Sequence, residues 1–196
     1  MPPSTSPAPI SEHLTTEETT VPLYSFEGLV PRVADTAFVA PTATLVGDVI
    51  VEDGASIWYG AVVRADYAPV VIRRGANIQD GAVLHGPPGL TTEVGTGATV
   101  AHNCVVHGAM LGEECLIANG AVVLDGATIG VRALVAAGSL VAAGFTVPDG
   151  QLAAGAPAVV KRPVAGSPAE FWVQANPSAY AELAQRHRVG IEWLRD

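Results

Sequence analysis

Aliphatic residues recur at every sixth position along most of this chain. The spacing first runs through residues 33–63, breaks twice, and continues as far as Val147. The aliphatic positions are Val33, Val39, Leu45, Val51, Ile57, Val63, Ile72, Ile78, Leu84, Val94, Val100, Val106, Leu111, Ile117, Val123, Ile129, Val135, Val141 and Val147. A six-residue unit supplies one short strand and one sharp turn, and three units close a triangular coil. The pattern therefore predicts an all-β solenoid whose aliphatic side chains point into the triangle.

Small residues mark the corners of this predicted solenoid. Most aliphatic positions are followed four places later by a small residue, often after glycine, as in Asp53-Gly54-Ala55 and Asp125-Gly126-Ala127. Small side chains suit the crowded corners of a coil. Ordinary alternating strands would show a period of two instead of six. The sequence therefore favours stacked parallel coils over a conventional sheet.

The pattern divides the chain into three parts. Residues 1–22 are rich in Pro, Ser and Thr and predict a flexible N-terminal arm, whereas residues 23–160 form the predicted solenoid domain. Residues 161–196 predict a linker and a C-terminal α-helix, with 153–166 as the exit from the solenoid. From Pro168 onward apolar residues recur at steps of three and four, and Pro177 suits a first helical turn after Asn176 as cap. We expect this helix to pack along the solenoid or on a partner.

Composition narrows the function classes. The chain has 196 residues, is 49% hydrophobic and only 15% charged, and carries a net charge of −9. These values exclude a disordered chain and argue against a nucleic-acid-binding surface. No apolar run reaches the roughly 18 residues needed to span a bilayer, and the N-terminus lacks the features of a secretory signal. With only two cysteines, Cys104 and Cys115, the sequence predicts a cytoplasmic protein that holds both as reduced, buried residues.

Aligning the coils brings polar residues into columns. On the third side of successive coils, the residue after the aliphatic position is Arg64, then His85, then His107. On the second side, the column two places after the aliphatic position holds Tyr59, Asp80, His102 and Asn119. Residues of one column in adjacent coils lie roughly 4.8 Å apart at the backbone. His85 and His107 are therefore expected to be stacked neighbours.

The histidine columns suggest a metal site. Two stacked imidazoles can share one metal ion, and His102, on the adjacent side of the triangle, could complete the site only from a neighbouring molecule. This arrangement predicts a homotrimer with three sites, one at each subunit interface. Three imidazoles with an open fourth position are typical of catalytic zinc, although iron(II) has the same ligand preference.

Three segments of the solenoid resemble a known enzyme family. Residues 56–66 (SIWYGAVVRAD), 77–85 (NIQDGAVLH) and 100–108 (VAHNCVVHG) resemble the γ-class carbonic anhydrases and their relatives, in order over residues 30–160. The exit sequence AGAPAVVKR at 154–162 is also similar. The resemblance implies a left-handed parallel β-helix, an exception to the right-handed rule for parallel crossovers.

The resemblance also implies roles for individual residues. His85, His102 and His107 match the family's ligands for zinc, iron(II) or cobalt, with His102 donated across the interface. Arg64 and Asp66 match an interface ion pair at the catalytic site, with Arg64 also near the substrate pocket. Gln79 matches the residue that orients a metal-bound hydroxide, and Asp80 belongs to the same polar network.

The activity that this resemblance implies is the reversible hydration of carbon dioxide to bicarbonate. A bound metal ion lowers the pKa of its water, so that hydroxide can attack carbon dioxide at neutral pH. The connection after His85, residues 86–93, is short and proline-rich, whereas the family prototype has a longer acidic loop with a glutamate as proton shuttle.

Two other functions are compatible with the fold. A hexapeptide-repeat acyltransferase or thioesterase-like enzyme acting on coenzyme A (CoA) substrates would need only one histidine as base. Three histidines in matched columns argue against it, and no basic patch for the CoA phosphates is evident, since the pair Arg73-Arg74 is expected to face solvent. The second alternative is a trimeric, non-catalytic scaffold that keeps the metal for stability.

Overall fold

The protein forms a left-handed parallel β-helix of about seven coils, followed by one C-terminal helix. The computed structural model describes residues 22–194. The all-β solenoid with a C-terminal α-helix, predicted from the sixfold pattern and the family resemblance, is confirmed. The predicted flexible arm lies outside the described residues except for Pro22.

The solenoid is built from short strands. In chain order they are β1 (Leu23–Tyr24), β2 (Arg32–Val33), β3 (Phe38–Val39), β4 (Thr44–Val51), β5 (Ser56–Ile57), β6 (Val62–Ile72), β7 (Asn77–Ile78), β8 (Val83–His85), β9 (Thr92–Val94), β10 (Thr99–Val100), β11 (Val105–His107), β12 (Met110–Leu111), β13 (Leu116–Ile117), β14 (Val122–Val123), β15 (Thr128–Ile129), β16 (Leu134–Val135), β17 (Leu140–Val141), β18 (Thr146–Val147), β19 (Gln151–Gly155) and β20 (Ala158–Pro163). The helix α1 spans Ala169–Gly190.

Two sheets cover the three sides of the coil. One side carries the ladder β3-β5-β7-β10-β13-β16-β19, which is parallel throughout. The other two sides belong to a single 12-stranded sheet, because the long strands β4 and β6 pass round a corner and pair on both sides. Each strand pairs with the equivalent strand one coil away, so side chains of one column lie directly above one another.

The interior of the coil is filled by the sixfold series. All of these aliphatic residues are buried except Val33 and Val39, which are partly exposed in the first coil. That coil has a neighbour on one face only, since β2 pairs only with β4 and β3 only with β5. Cys104 and Cys115 are free and buried at corners, as expected for small apolar residues.

The segment after the last coil differs from the predicted linker. Strands β19 and β20 form an antiparallel hairpin, in which Gly155 pairs with Ala158 and Gln151 with Pro163. The chain therefore reverses direction at the end of the stack instead of leaving it at once. The ladder of β19 stays satisfied by a neighbour from the same chain.

Helix α1 packs back along the ladder side of the solenoid. Near its start, Val173 is buried against Leu116 and Leu134, and near its end Ala184 is buried against Phe38 and Trp58. The helix therefore runs from the late coils towards the first coils. Within residues 22–194, no helix is long and apolar enough to cross a membrane.

One feature of the helix differs from the sequence prediction. Pro177, expected in a first helical turn after a cap at Asn176, lies inside one continuous helix that begins at Ala169. Proline lacks the N–H that would bond to the carbonyl four residues earlier, here Val173. Packing at both ends holds the helix together across this missing bond.

Candidate active site

The strand register brings the residues of each predicted polar column next to one another. Strand pairing sets Arg64 opposite His85 and His85 opposite His107, as the sixfold pattern predicts. On the ladder side, backbone hydrogen bonds connect the equivalent turns around Asp80, His102 and Asn119. The two columns lie on different sides of the coil and form two separate networks.

The first network contains two histidines between two carboxylates. His85 Nδ1 lies 2.9 Å from His107 Nε2, and His85 Nε2 lies 2.8 Å from Asp66 Oδ1. His107 Nδ1 hydrogen-bonds Asp125, and the Arg64 guanidinium donates to Asp66. Both ring nitrogens of each histidine are therefore engaged in a continuous chain of hydrogen bonds.

Asp66 is stabilised as a carboxylate within this network. Burial by itself would raise the pKa of Asp66, but the hydrogen bonds from His85 and Arg64 and the charge of Arg64 outweigh it. The pKa of Asp66 therefore lies below its usual value of 3.8. An ionised Asp66 fixes the orientation of the His85 ring.

The second network centres on His102. Its Nδ1 lies 3.0 Å from Asp80 Oδ2, and its Nε2 lies 3.4 Å from the hydroxyl of Tyr180 on α1. The Asp80 carboxylate lies at ion-pair distance from Nδ1 without the alignment of a hydrogen bond, and its negative charge favours the tautomer with the proton on Nδ1 and the lone pair on Nε2. A carboxylate behind an imidazole is the arrangement of a general base whose partner sets its tautomer.

Two phenols accompany Asp80. Burial, and then the negative charge of Asp80, raises the pKa of both Tyr59 and Tyr180 above 10. Both phenols therefore stay protonated at neutral pH and can donate a hydrogen bond. Tyr59 lies 2.9 Å from His187 Nδ1, which ties the end of α1 to the solenoid.

His102 opens into a groove between the ladder side and α1. The groove has a volume of about 460 Å³ and lies between the two places where the helix is buried against the coils. Its lining residues are Gln79, Ala101, His102, Leu116, Ala118, Asn119, Leu134, Ala137, Trp172, Asn176, Ala179 and Tyr180. The groove places a base next to an apolar channel that can hold an extended substrate.

Gln79 lies at the buried end of this groove. Its amide nitrogen donates to Asn77 at 2.9 Å, and Asn77 in turn donates to Thr99 at 2.9 Å. All three side chains are buried, so the position of the Gln79 amide is fixed from below. It offers a rigid polar group to a ligand in the groove.

Sequence reasoning missed two members of these networks. Asp125 belongs to an Asp-Gly-Ala corner motif, so its sequence context indicated a turn and not a partner for His107. Tyr180 was correctly expected on a helix, but its contact with His102 depends on how that helix lies on the solenoid. No signal in the sequence reports this docking.

The three predicted metal ligands do not meet within one chain, as expected for a site that needs His102 from a neighbouring subunit. Among residues 22–194, no group of three or more His, Cys, Asp or Glu side chains is arranged to hold a metal ion. His85 and His107 direct their nitrogens at each other and at carboxylates, and His102 faces another side with Asp80 and Tyr180. These residues of one chain assemble no donor set for zinc, iron(II) or cobalt, and the prediction of a metal cofactor is wrong.

Comparison with known proteins identifies relatives that match most of this chain. The chain is 41% identical over 168 residues to the carnitine operon protein CaiE of Escherichia coli K12, an alignment that covers 86% of this chain and 85% of that protein. It is also 41% identical to CaiE of Citrobacter koseri, with the same coverage. No protein-family model matches the chain.

Two solved structures share the fold at substantial identity. One is a hexapeptide transferase family protein from Anaplasma phagocytophilum, with 34% identity, a TM-score of 0.78 and coverage of 84% of this chain and 96% of that one. The other is a protein from Bacillus cereus described as a candidate acetyltransferase, with 33% identity, a TM-score of 0.83 and coverage of 86% and 97%.

These relatives overturn the expected activity. The prediction of a γ-class carbonic anhydrase, a lyase that hydrates carbon dioxide, is wrong, because the relatives are CaiE proteins and members of a transferase family. Carbon dioxide and bicarbonate lose their support as substrates for the same reason. The resemblance holds at the level of the shared left-handed hexapeptide-repeat fold. With 41% identity over most of both chains, this chain belongs to the CaiE family of hexapeptide-repeat proteins.

Proposed function

We propose that this protein is a CoA-dependent acyltransferase in which His102 acts as general base. The observation that carries the proposal is the His102 ring itself, which has the Asp80 carboxylate 3.0 Å from one nitrogen and presents the other to the groove beneath α1. The relatives described as a hexapeptide transferase and a candidate acetyltransferase support the reaction class.

The chemistry follows from the state of the ring. Nε2 of His102 takes the proton of an amine or hydroxyl acceptor while the acceptor attacks the thioester carbonyl. The tetrahedral intermediate then breaks its C–S bond, and the proton on Nε2 passes to the leaving sulfur. The products are the acylated acceptor and free thiol, and His102 returns to its neutral form.

Asp80 and Tyr180 prepare the base. The negative charge of Asp80, 3.0 Å from Nδ1, favours a proton on that nitrogen and so leaves the lone pair on Nε2, and it stabilises the imidazolium that forms during the reaction. The Tyr180 hydroxyl lies near Nε2 in the free protein and would be displaced by the entering acceptor. Gln79 and Asn176 are two of the three amide side chains that line the groove, and they are positioned to bind the thioester arm.

We also propose that the protein is a homotrimer. Three apolar side chains near the His85–His107 pair are exposed, namely Tyr67, Val83 and Leu90. We propose that this surface packs against the His102 side of the next subunit, so that Arg64, Asp66, His85 and His107 help to position the acceptor. The solenoid, residues 23–160, would then supply the interface, and α1 would cover the groove.

The test is thioester cleavage measured as thiol release from acetyl-CoA, with a panel of amines and alcohols as acceptors. We expect His102→Gln to lower kcat by ~10²- to 10⁴-fold, the usual contribution of a general base. Asp80→Asn should also lower kcat, because an amide can hold the ring in the wrong tautomer. Asp48→Asn, which alters a carboxylate paired with Arg32 in the early coils, is the matched control and should leave kcat unchanged.

Two results would contradict the proposal. One is wild-type protein that releases no thiol with any acceptor or with water. The other is a folded His102→Gln protein that keeps the wild-type rate. Thermal unfolding of each variant shows whether a loss of activity reflects the site or the fold.

A further inference from the structure

The groove beneath α1 is lined without a single permanently charged residue. Its twelve lining residues are alanines, leucines, amides, Trp172, Tyr180 and His102. The charged group nearest to the base is the Asp80 carboxylate, 3.0 Å from the ring. No lysine or arginine among the described residues contributes to the lining.

This lining discriminates between ligands by charge. A carboxylate that enters an apolar groove loses its hydration and finds no cation to replace it, which is costly. The negative charge of Asp80 and the net charge of −9 add repulsion. An uncharged acyl group loses little hydration and is not repelled, and it is stabilised by burial against Leu116, Leu134 and Trp172.

The groove also follows the stack of coils. His102, Asn119 and Ala137 occupy the same column in three successive coils, and backbone hydrogen bonds join their turns. At roughly 4.8 Å for each coil, the column runs about 10 Å from the base to Ala137. An acyl group whose carbonyl lies at His102 would extend along this column.

We propose that the groove selects thioesters of uncharged, apolar acyl groups and excludes acyl groups that end in a carboxylate. The inference deepens the proposed acyltransferase function and rests on it for the identity of the thioester. It assigns the selection to the uncharged lining beside His102. Asn119 is exposed in the coil after that of His102, and a positively charged side chain at this position would reverse the selection against carboxylates.

The test compares two thioesters of N-acetylcysteamine, butanoyl and succinyl, which differ by a terminal methyl against a terminal carboxylate. Dissociation constants for both are measured by calorimetry on the full-length protein, with no acceptor present. We expect the butanoyl thioester to bind at least ~10-fold more tightly. Asn119→Lys should improve succinyl binding at least ~10-fold, because it supplies a counter-ion inside the groove.

The matched control is Thr128→Lys. Thr128 is exposed on a different side of the coil, outside the groove, so this variant changes the net charge equally. We expect it to leave the preference for butanoyl unchanged. Since Asn119 and Thr128 are both exposed, neither lysine requires burial of a charge in the core.

Three results would overturn the inference: equal affinity for the two thioesters in the wild type, binding of neither, or equal effects of the two lysine variants. Binding is measured without turnover, so it is independent of catalysis. A protein that prefers the butanoyl thioester but never releases thiol would keep the selectivity and remove the proposed acyltransferase function.

Discussion

At the scale of single residues, Asp66 links the stability of the protein to pH. Its carboxylate accepts hydrogen bonds from His85 and Arg64, and these outweigh the effect of burial and lower its pKa below 3.8. A group with a lowered pKa in the folded state stabilises the protein above its unfolded pKa. That stabilisation is lost as the pH falls through the folded pKa.

We therefore expect Asp66→Asn to lower the melting temperature near neutral pH. The gap between the variant and the wild type should shrink as the pH falls below about 4, because the wild-type carboxyl then becomes protonated. Thermal unfolding of both proteins from pH 7 down to pH 3 measures this gap. A gap that stays constant over the range would contradict the role of an ionised Asp66, and Asp48→Asn provides the comparison for a carboxylate paired with an exposed arginine.

Residues of the site differ in how far the sequence could predict them. The pairing of Arg64 with His85, and of His85 with His107, on neighbouring strands followed from the sixfold spacing alone, because parallel coils pair in register. The contacts of those side chains did not follow. Strand register fixes where a Cα lies, whereas the chain from Asp66 through two rings to Asp125 depends on rotamers and on a corner residue.

At the scale of secondary-structure elements, strand β4 turns a corner of the coil at Gly47. This residue has φ of +77°, and a Cβ there would lie 2.3 Å from the backbone carbonyl oxygen of Ala65 in β6. The neighbour is backbone of a paired strand and cannot move aside. Only glycine fits this corner.

Gly47→Ala should therefore lower the free energy of unfolding by about 3 kcal/mol, from backbone strain and steric overlap together. Gly54→Ala is the matched control, since Gly54 has φ of +66° but nothing within 4 Å of a Cβ. It should cost only about 1 kcal/mol. Chemical denaturation of the two variants gives both values, and equal losses would show that the close approach to Ala65 has no role.

The elements were predictable where a period exists. The sixfold series located the strands of the coils, and the three- and four-residue spacing located α1. The hairpin of β19 and β20 carries no such period, because Val159 and Val160 are adjacent and both exposed. The position of α1 on the solenoid could not be predicted from the sequence either. Its length fits, since a helix of 22 residues spans about 33 Å and so matches the height of the stack.

At the scale of the whole molecule, the proposed trimer makes a prediction for mixed subunits. His102→Ala and His107→Ala proteins should each lose most thiol release. A refolded mixture should recover part of it, because some interfaces then combine an intact His102 with an intact His107 from the next subunit. Activity of the mixture, compared with each variant refolded alone, measures the recovery.

Native mass spectrometry completes this experiment. It establishes whether the mixture contains three-chain species with both kinds of subunit. Mixed trimers without recovered activity would contradict a site shared between subunits, and a wild-type protein that stays a single chain would contradict the trimer itself.

The hairpin that closes the last coil has a consequence for how many copies can join end to end. A parallel stack offers unpaired N–H and C=O groups at its end, onto which the first coil of another molecule could add, and then another. Strand β20 occupies that position on the ladder side and runs in the opposite direction. Growth into a fibre is thereby blocked along that ladder, and the height of the solenoid is set by its own chain.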